Sequence, residues 1–436
     1  MKTLLKLAVL ALLIFLSVNY FKDHNIDLKE KFSKGLAWVQ ENMELEESKG
    51  ESGSSQNPES HPSQNNNQGA PYRPSPSYEE SNPSSNQISN ETSYTNEPQS
   101  SAHSDEQLPQ AVETSYSSEE NLAWIKEVSR ENAPTAWNML MQYEQLPQRA
   151  RLVSDDGGEI SSNKPCGTFH YLQGDSRLEL LQFMSTNVHE LSHAFYRHNA
   201  YRYMNEKKIN SNFDDAQGYV YLDPQTGWLL SFPESALFPS ARLQAVIPES
   251  LRTFRFEDYI TGNTSTQSEG VFGLLNELHA YYQGSLYDYN MLNAYQEAEG
   301  SAGHGLGRWI QYSQSSMAAC YEFDFFIHEY LLYMKQQFPE NYNKLRMCTP
   351  FREAYTELRK RFYNLNKAFL TRIEQEAKAL SEQSEDIKIR YNCLEVPTSD
   401  GRSYIYSLEC VDCLTLLPVL QSNRYAGIEQ DWGLGE

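Results

Sequence analysis

The sequence predicts a helix-rich α+β domain behind a long polar tether, and three observations carry that expectation. Apolar residues recur at steps of three and four through long stretches beyond Glu119, as in Leu181, Met184, Val188, Leu191 and Phe195, or Phe351, Tyr355, Leu358, Phe362, Leu365 and Phe369. Period-two alternation bounded by turn residues is confined to short runs, chiefly Tyr219–Leu222 with Trp228–Phe232 and Ile387–Tyr391 with Ser403–Tyr406. From Glu47 to about Ser118 the composition shifts to Ser, Asn, Gln, Pro and Glu with almost no aliphatic residues.

In chain order, residues 1–22 form a leader. Lys2 and Lys6 flank an apolar run from Leu7 to Val18 interrupted only by Ser17, which suits a signal-peptide core or a short signal anchor. A small-x-small cleavage site is not evident at Ser17–Tyr20, which favours an uncleaved anchor; Lys22, Lys29, Lys31 and Lys34 beyond it weaken a charge-based orientation. Residues 23–46 place Ile26, Leu28, Phe32, Leu36 and Val39 among charges, as in a short juxtamembrane helix. Residues 47–118 hold too little apolar surface to offset ordering entropy and read as a disordered, solvated linker. The folded domain is expected over 119–436.

Within it, Asn121–Gln145 reads as helix divided at Pro134, and Thr168–Leu172 alternates weakly as a strand. Ser176 and Glu179 form a capping-box pair ahead of the periodic segment that ends near Phe195. A hairpin turns at Asp223–Gly227. Glu299–Gly307 is a glycine-rich loop without the Lys and strand setting of a phosphate cradle, so nucleotide binding is rejected. Phe323–Tyr333 is strongly apolar, with His328 expected as a satisfied core histidine. Phe351–Leu380 is one long amphipathic helix, and a terminal hairpin around Asp400-Gly401 closes the chain.

The chemistry centres on Val188-His189-Glu190-Leu191-Ser192-His193-Ala194-Phe195, an H-E-x-x-H match inside the capped helix. Residues four apart lie on one helix face, so His189 and His193 can aim ring nitrogens at one metal ion, and the intervening Glu190 can reach a metal-activated water as general base. A catalytic zinc takes three protein ligands. A third histidine six residues after His193 is absent: Asn199 stands there and His198 falls one short. The best downstream donor is Glu277, at the edge of the buried stripe Val271, Leu275, Leu278 and Tyr282, flanked by the small residues Gly273 and Ala280 that let another helix approach. Asp215 is the rival. His304, His279 and the tyrosines near Tyr281 are the groups available to stabilise an oxyanion.

With Asn276-Glu277 on a later helix, this motif resembles the gluzincin branch of zinc metallopeptidases, of which thermolysin is the familiar member. The resemblance implies a zincin-like domain with a small strand-containing upper lobe and a helical lower lobe. It also implies Zn2+ held by His189, His193 and Glu277, Glu190 as base, and peptide or protein substrates whose backbone pairs with an edge strand near Thr168–Leu172. Two departures stand out: the gap from His193 to Glu277 is longer than thermolysin's, and the aspartate that supports a histidine one turn after the third ligand is Tyr281 here. Alternatives from other classes are a catalytically inactive zincin-like envelope interaction protein and a zinc hydrolase of a non-peptide amide.

Composition bounds the rest. A net charge of −22 and a pI near 4.9, spread along the chain, exclude nucleic-acid recognition. Six cysteines behind an export segment favour disulfides. Cys410-x-x-Cys413 with Cys393 is a lesser candidate for a zinc knuckle, and a redox role is disfavoured because no strand–helix context of the thioredoxin kind is evident. The expected location is outside the cytoplasm, anchored through the leader or secreted.

Overall fold

The computed structural model describes residues 118–153, 158–209, 214–262 and 264–434; the leader, the juxtamembrane helix and nearly all of the polar linker lie outside the described residues. Helices dominate, and the strands form three small antiparallel sheets, so the helix-rich α+β expectation holds. Helix α1 (Ser118–Asn132) gives way to α2 (Pro134–Gln145) at Pro134, which sits in a first turn where its missing N–H costs nothing. Strands β1 (Arg149–Val153) and β2 (Glu159–Asn163) pair as a hairpin that sequence patterning did not reveal.

Helix α3 (Arg177–Lys207) begins in the expected capping box: the Ser176 hydroxyl accepts from the Glu179 N–H while Glu179 accepts from the Ser176 N–H. It ends at Lys208, in left-handed conformation (φ 51°). The hairpin of β3 (Asp215–Asp223) and β4 (Thr226–Pro233) turns where Asp223-Pro224 predicted. Helical turns follow, including a π-turn over Glu257–Thr261, and then α4 (Val271–Asn290). The remaining helices are α5 (Leu292–Glu299), α6 (Ala302–Gln337), α7 (Pro339–Met347) and α8 (Thr349–Gln383). A three-stranded sheet of β5 (Lys388–Arg390), β6 (Cys393–Pro397) and β7 (Ser403–Ser407) precedes α9 (Val411–Leu420) and α10 (Ala426–Trp432).

Helix α4 is the axis of the core. It packs on α3 along one side and on α6 and α8 along others, so apolar positions all round it are buried rather than a single stripe. The contacts of α3 with α4 descend in register. Ser185 meets Gly284 and Asp288, His189 meets Tyr281 and Gly284, His193 meets Glu277, and Arg197 meets Glu269 just before the helix starts. The two helices therefore run antiparallel. They come close at Gly284, where an added Cβ would make ordinary van der Waals contact, 3.4 Å from the Ser185 carbonyl and 3.6 Å from His189 Cβ. Gly273, expected to admit a helix, accommodates the backbone of Thr266 in the short helix Ser265–Ser268.

Three local expectations are corrected. Thr168–Leu172 is a turn, not a strand, because the buried Asn187 side chain donates to the Thr168 carbonyl (3.0 Å) and accepts from the Tyr171 N–H (3.1 Å). The glycine-rich stretch after Ser301 is the first turns of α6: Ser301 caps them, and Gly307 makes room for the ring of Tyr406. In the terminal sheet 403–407 pairs with 393–397, while 388–390 pairs with the other edge of that strand, giving three strands in place of a hairpin.

Burial of Asp288 opposes folding at neutral pH. Its carboxyl is buried between α3 and α4, Oδ2 accepts from Ser185 Oγ at 2.8 Å, Oδ1 has no partner, and burial pushes its pKa from 3.8 up to about 7. Between those pH values the folded protein keeps a proton that the unfolded chain has released, so stability falls as pH rises through that window. At 1.36 kcal/mol per unit the penalty above neutrality reaches roughly 4 kcal/mol. Asp288→Asn is expected to raise the melting temperature at pH 8 and to change it little at pH 4. Thermal denaturation followed by circular dichroism at the two pH values checks this; equal gains at both would show that charge is not the source.

Candidate metal centre

Helix geometry brings the two histidines together. His189 and His193, one turn apart on α3, place their Nε2 atoms 3.2 Å from each other. Because α4 runs antiparallel, Glu277 arrives opposite the second histidine. Its Oε2 lies 3.4 Å from His193 Nε2 and 3.9 Å from His189 Nε2, and the three ligand atoms lie within 4.8 Å of one another. A tetrahedral zinc with arms of about 2.1 Å separates its ligands by about 3.4 Å, so the set already has the spacing such an ion needs. Side-chain exposures of 13%, 21% and 6% for His189, His193 and Glu277 leave the histidine side open to small molecules and seal the acid inside.

The donor chemistry fits a cation. Glu277 Oε2 is buried and makes no hydrogen bond, with His193 Nε2 the nearer ring nitrogen at 3.4 Å, and a positive ion at the centre would compensate its charge. Burial holds the His189 imidazole well below its usual pKa, reinforced by the positive charges of His193 and Arg255, so it presents a lone pair. Burial also opposes charge on His193, but the carboxylates of Glu277 and Glu190 outweigh it and lift that ring to about 9. A metal entering the site would thus displace a proton from His193. Burial raises the Glu190 carboxyl, Glu277 adds to the rise, and His193 opposes it; a base lifted in this direction moves toward the working range of proton transfer.

One wall of the site is built by the segment inserted between the ligand helices. Tyr281 stands edge-on to His189 with ring centroids 4.4 Å apart, and its hydroxyl lies 3.1 Å from that of Tyr259 on the π-turn. Arg255 lies over the Tyr281 ring at 4.6 Å and forms a buried ion pair with Glu322 on α6, while its other nitrogen donates to the Ser315 carbonyl at 2.9 Å. Sequence reasoning gave Arg255, Tyr259 and Glu322 no individual role. A charged pair separated by 67 residues leaves no periodic trace, although an arginine between two phenylalanines at 254–256 is a weak one.

Other sequence candidates lie elsewhere. Asp215 accepts from Ser231 Oγ at 2.9 Å on the hairpin and is not part of the converging group. His198 is turned to the Pro147 carbonyl at 2.7 Å. His279 is fully buried and donates to the Tyr221 carbonyl at 2.6 Å, and His304 packs against Tyr404 and Tyr406, so neither faces the metal group. His328 is a core histidine as expected, its Nδ1 2.8 Å from the Asp324 carbonyl. The surface hollow lined by Trp228, Arg352, Glu353, Arg361 and Trp432 contains none of the metal-site residues. This chain matches no family model, no curated protein and no solved structure.

The geometry separates the two acids experimentally. If a site worth about 10 kcal/mol is shared by three ligands, Glu277→Ala should weaken binding of Zn2+ or Co2+ by about a hundredfold or more. Asp215→Asn should leave it unchanged. Titration calorimetry, or the visible spectrum of the cobalt-loaded protein, checks both; the opposite ranking would move the third ligand to the hairpin.

Proposed function

We propose that this chain is a zinc-dependent hydrolase of peptide bonds, of the gluzincin type that its motifs resemble, with Zn2+ held by His189, His193 and Glu277. The observation that carries the reading is the convergence of the Glu277 carboxylate on both imidazoles with Glu190 one residue from the first. A nitrogen-nitrogen-oxygen donor set is the kind that catalytic zinc uses while keeping a position for water.

Bound there, the ion would polarise the scissile carbonyl and bring the pKa of a water to about 7. Everything else falls to the chain. Glu190 takes the water's proton and hands it to the leaving amine; its half-buried position keeps it basic enough for the first transfer and able to release the proton in the second. Tyr281, whose ring packs edge-on against His189 and lies under Arg255, is assigned as the donor that hydrogen-bonds the carbonyl oxygen as negative charge develops on it. On the other flank of Glu190, the turn pinned by Asn187 brings Tyr171 near enough for Glu190's charge to help raise the phenol, after burial and Cys166.

Peptide or protein substrates are proposed because the motif and its base suit amide hydrolysis. The domain is placed outside the cytoplasm on the strength of the N-terminal apolar run; among the described residues no helix is long and apolar enough to cross a membrane. One observation favours a second reading, a zincin-like module that binds without turnover. The position expected to carry a supporting aspartate is occupied by Tyr281.

Glu190→Gln decides between them. On the hydrolytic reading it should retain one equivalent of zinc and lose at least about a thousandfold in kcat/KM on a peptide library, within the range a general base contributes. Tyr281→Phe should lower kcat by about a hundredfold to a thousandfold with KM little changed. A wild-type protein with stoichiometric zinc and no cleavage of any peptide would establish the binding module instead.

A further inference from the structure

The C-terminal cysteine pair is a second candidate centre, separate from the metal site. Cys410 and Cys413 are joined by a disulfide, whereas Cys166, Cys320, Cys348 and Cys393 are free thiols, so the oxidised framework that six cysteines suggested is not formed. The strand–helix setting that the sequence did not reveal is present: β7 ends at Ser407, Cys410 is the N-cap of α9, and Cys413 lies in its first turn.

We propose that Cys410 and Cys413 form a reversible thiol–disulfide exchange centre acting on small thiols and disulfides. Cys410 Sγ makes no hydrogen bond to the N–H groups of the first turn of α9 and lies 3.7 Å from the Gln314 carbonyl oxygen, so a departing thiolate is favoured here through the dipole of this ten-residue helix alone. As a staple the bond does little, because a ring closed over three residues removes little entropy from the unfolded chain. The segment around it is anchored by other means. Gln314 Nε2 donates to the Ser407 carbonyl at 2.7 Å, Arg424 reaches Glu329 through bonds of 2.7 and 2.8 Å, and Arg359 donates to the Leu434 carbonyl at 3.1 Å. The bond can therefore open without loss of the fold. A third thiol, Cys393, stays reduced on the neighbouring strand, paired in register with Ser407. Cys410 and Cys413 are only 6% and 5% exposed, so a folded oxidoreductase is kept from the bond and the reagent that opens it has to be small.

The exchange balances with a thiol such as glutathione as the named reductant. One glutathione thiolate attacks a sulfur of the pair, the S–S bond breaks, and a mixed disulfide forms while the other cysteine leaves as thiolate and takes up a proton. A second glutathione thiolate attacks the glutathione sulfur of that mixed disulfide, releasing the first cysteine as a thiolate that is protonated in turn. Glutathione disulfide is the oxidised product, and the protein has gained two electrons and two protons.

Full-length protein is equilibrated with reduced and oxidised glutathione at graded ratios, then alkylated with a maleimide and mapped by mass spectrometry. The expected result is a smooth, reversible gain of two labels, on Cys410 and Cys413, with the far-ultraviolet circular dichroism unchanged; Cys413→Ser should accumulate a glutathione adduct at Cys410. Two results would overturn the proposal. One is a bond that resists glutathione until the protein unfolds. The other is reduced protein that takes up a second zinc equivalent in addition to the one at the histidines, which would make these thiols metal ligands.

Discussion

The structure depends on the antiparallel contact of α3 with α4. The two helices come close at Gly284, the polar residues on the facing sides reach each other, and the descending register determines which groups meet. Four positions along α3, at steps of four, face Asp288, Tyr281, Glu277 and Glu269 in turn. Burying carboxylates and imidazoles in such a seam costs several kcal/mol per uncompensated charge, against a total stability of roughly 5–15 kcal/mol. An apolar seam of the same shape would be more stable. A contact that keeps titratable groups in the middle of the core is the sort of local inconsistency that function, not folding, explains.

The inserted segment has its own constraint. Arg255 and Glu322 are both 2% exposed, and a buried ion pair is weak evidence for stability because desolvation consumes much of its attraction. Its geometric consequence is clearer. Arg255 bridges the turn at 254–256 to Glu322 and Ser315 of α6, and its guanidinium covers the Tyr281 ring, which in turn packs against His189. Where the resemblance leads one to expect a carboxylate hydrogen-bonded to an imidazole, this chain has an aromatic edge held in place by a charged clamp. The imidazole is oriented by packing instead of by a hydrogen-bond acceptor.

Much of this was legible in the sequence, and the misses have common causes. The capping box and the three-four periodicity fixed α3, so the spacing of His189 and His193 could be read as one face. Glu277 was legible because a carboxylate at the edge of an otherwise apolar stripe is anomalous by itself, whereas Asp215 stood in a polar turn-rich stretch where acids are common. The turn at 168–172 was misread because its determinant, Asn187, lies on another element and overrides a weak alternation. The glycines at 303, 305 and 307 signalled a loop by propensity, yet they serve a helix whose neighbours leave no space for side chains. In both cases the deciding interaction is tertiary, and local composition carries no record of it. The supporting clamp around Tyr281 was illegible for the same reason.

Glu277 and Asp288 show how position alone separates the roles of two similar groups. They lie eleven residues apart on α4, three turns along the same face, and both are nearly sealed from solvent. Asp288 is offered a single serine hydroxyl and no cation, and burial drives it toward the neutral acid. Glu277 faces two imidazoles, and its Oε2, which makes no hydrogen bond, lies 3.4 Å from one Nε2 and 3.9 Å from the other. Packing that tolerates the first as a stability cost makes the second a candidate ligand. The difference is where the histidines of α3 fall, four residues apart, along the opposing helix.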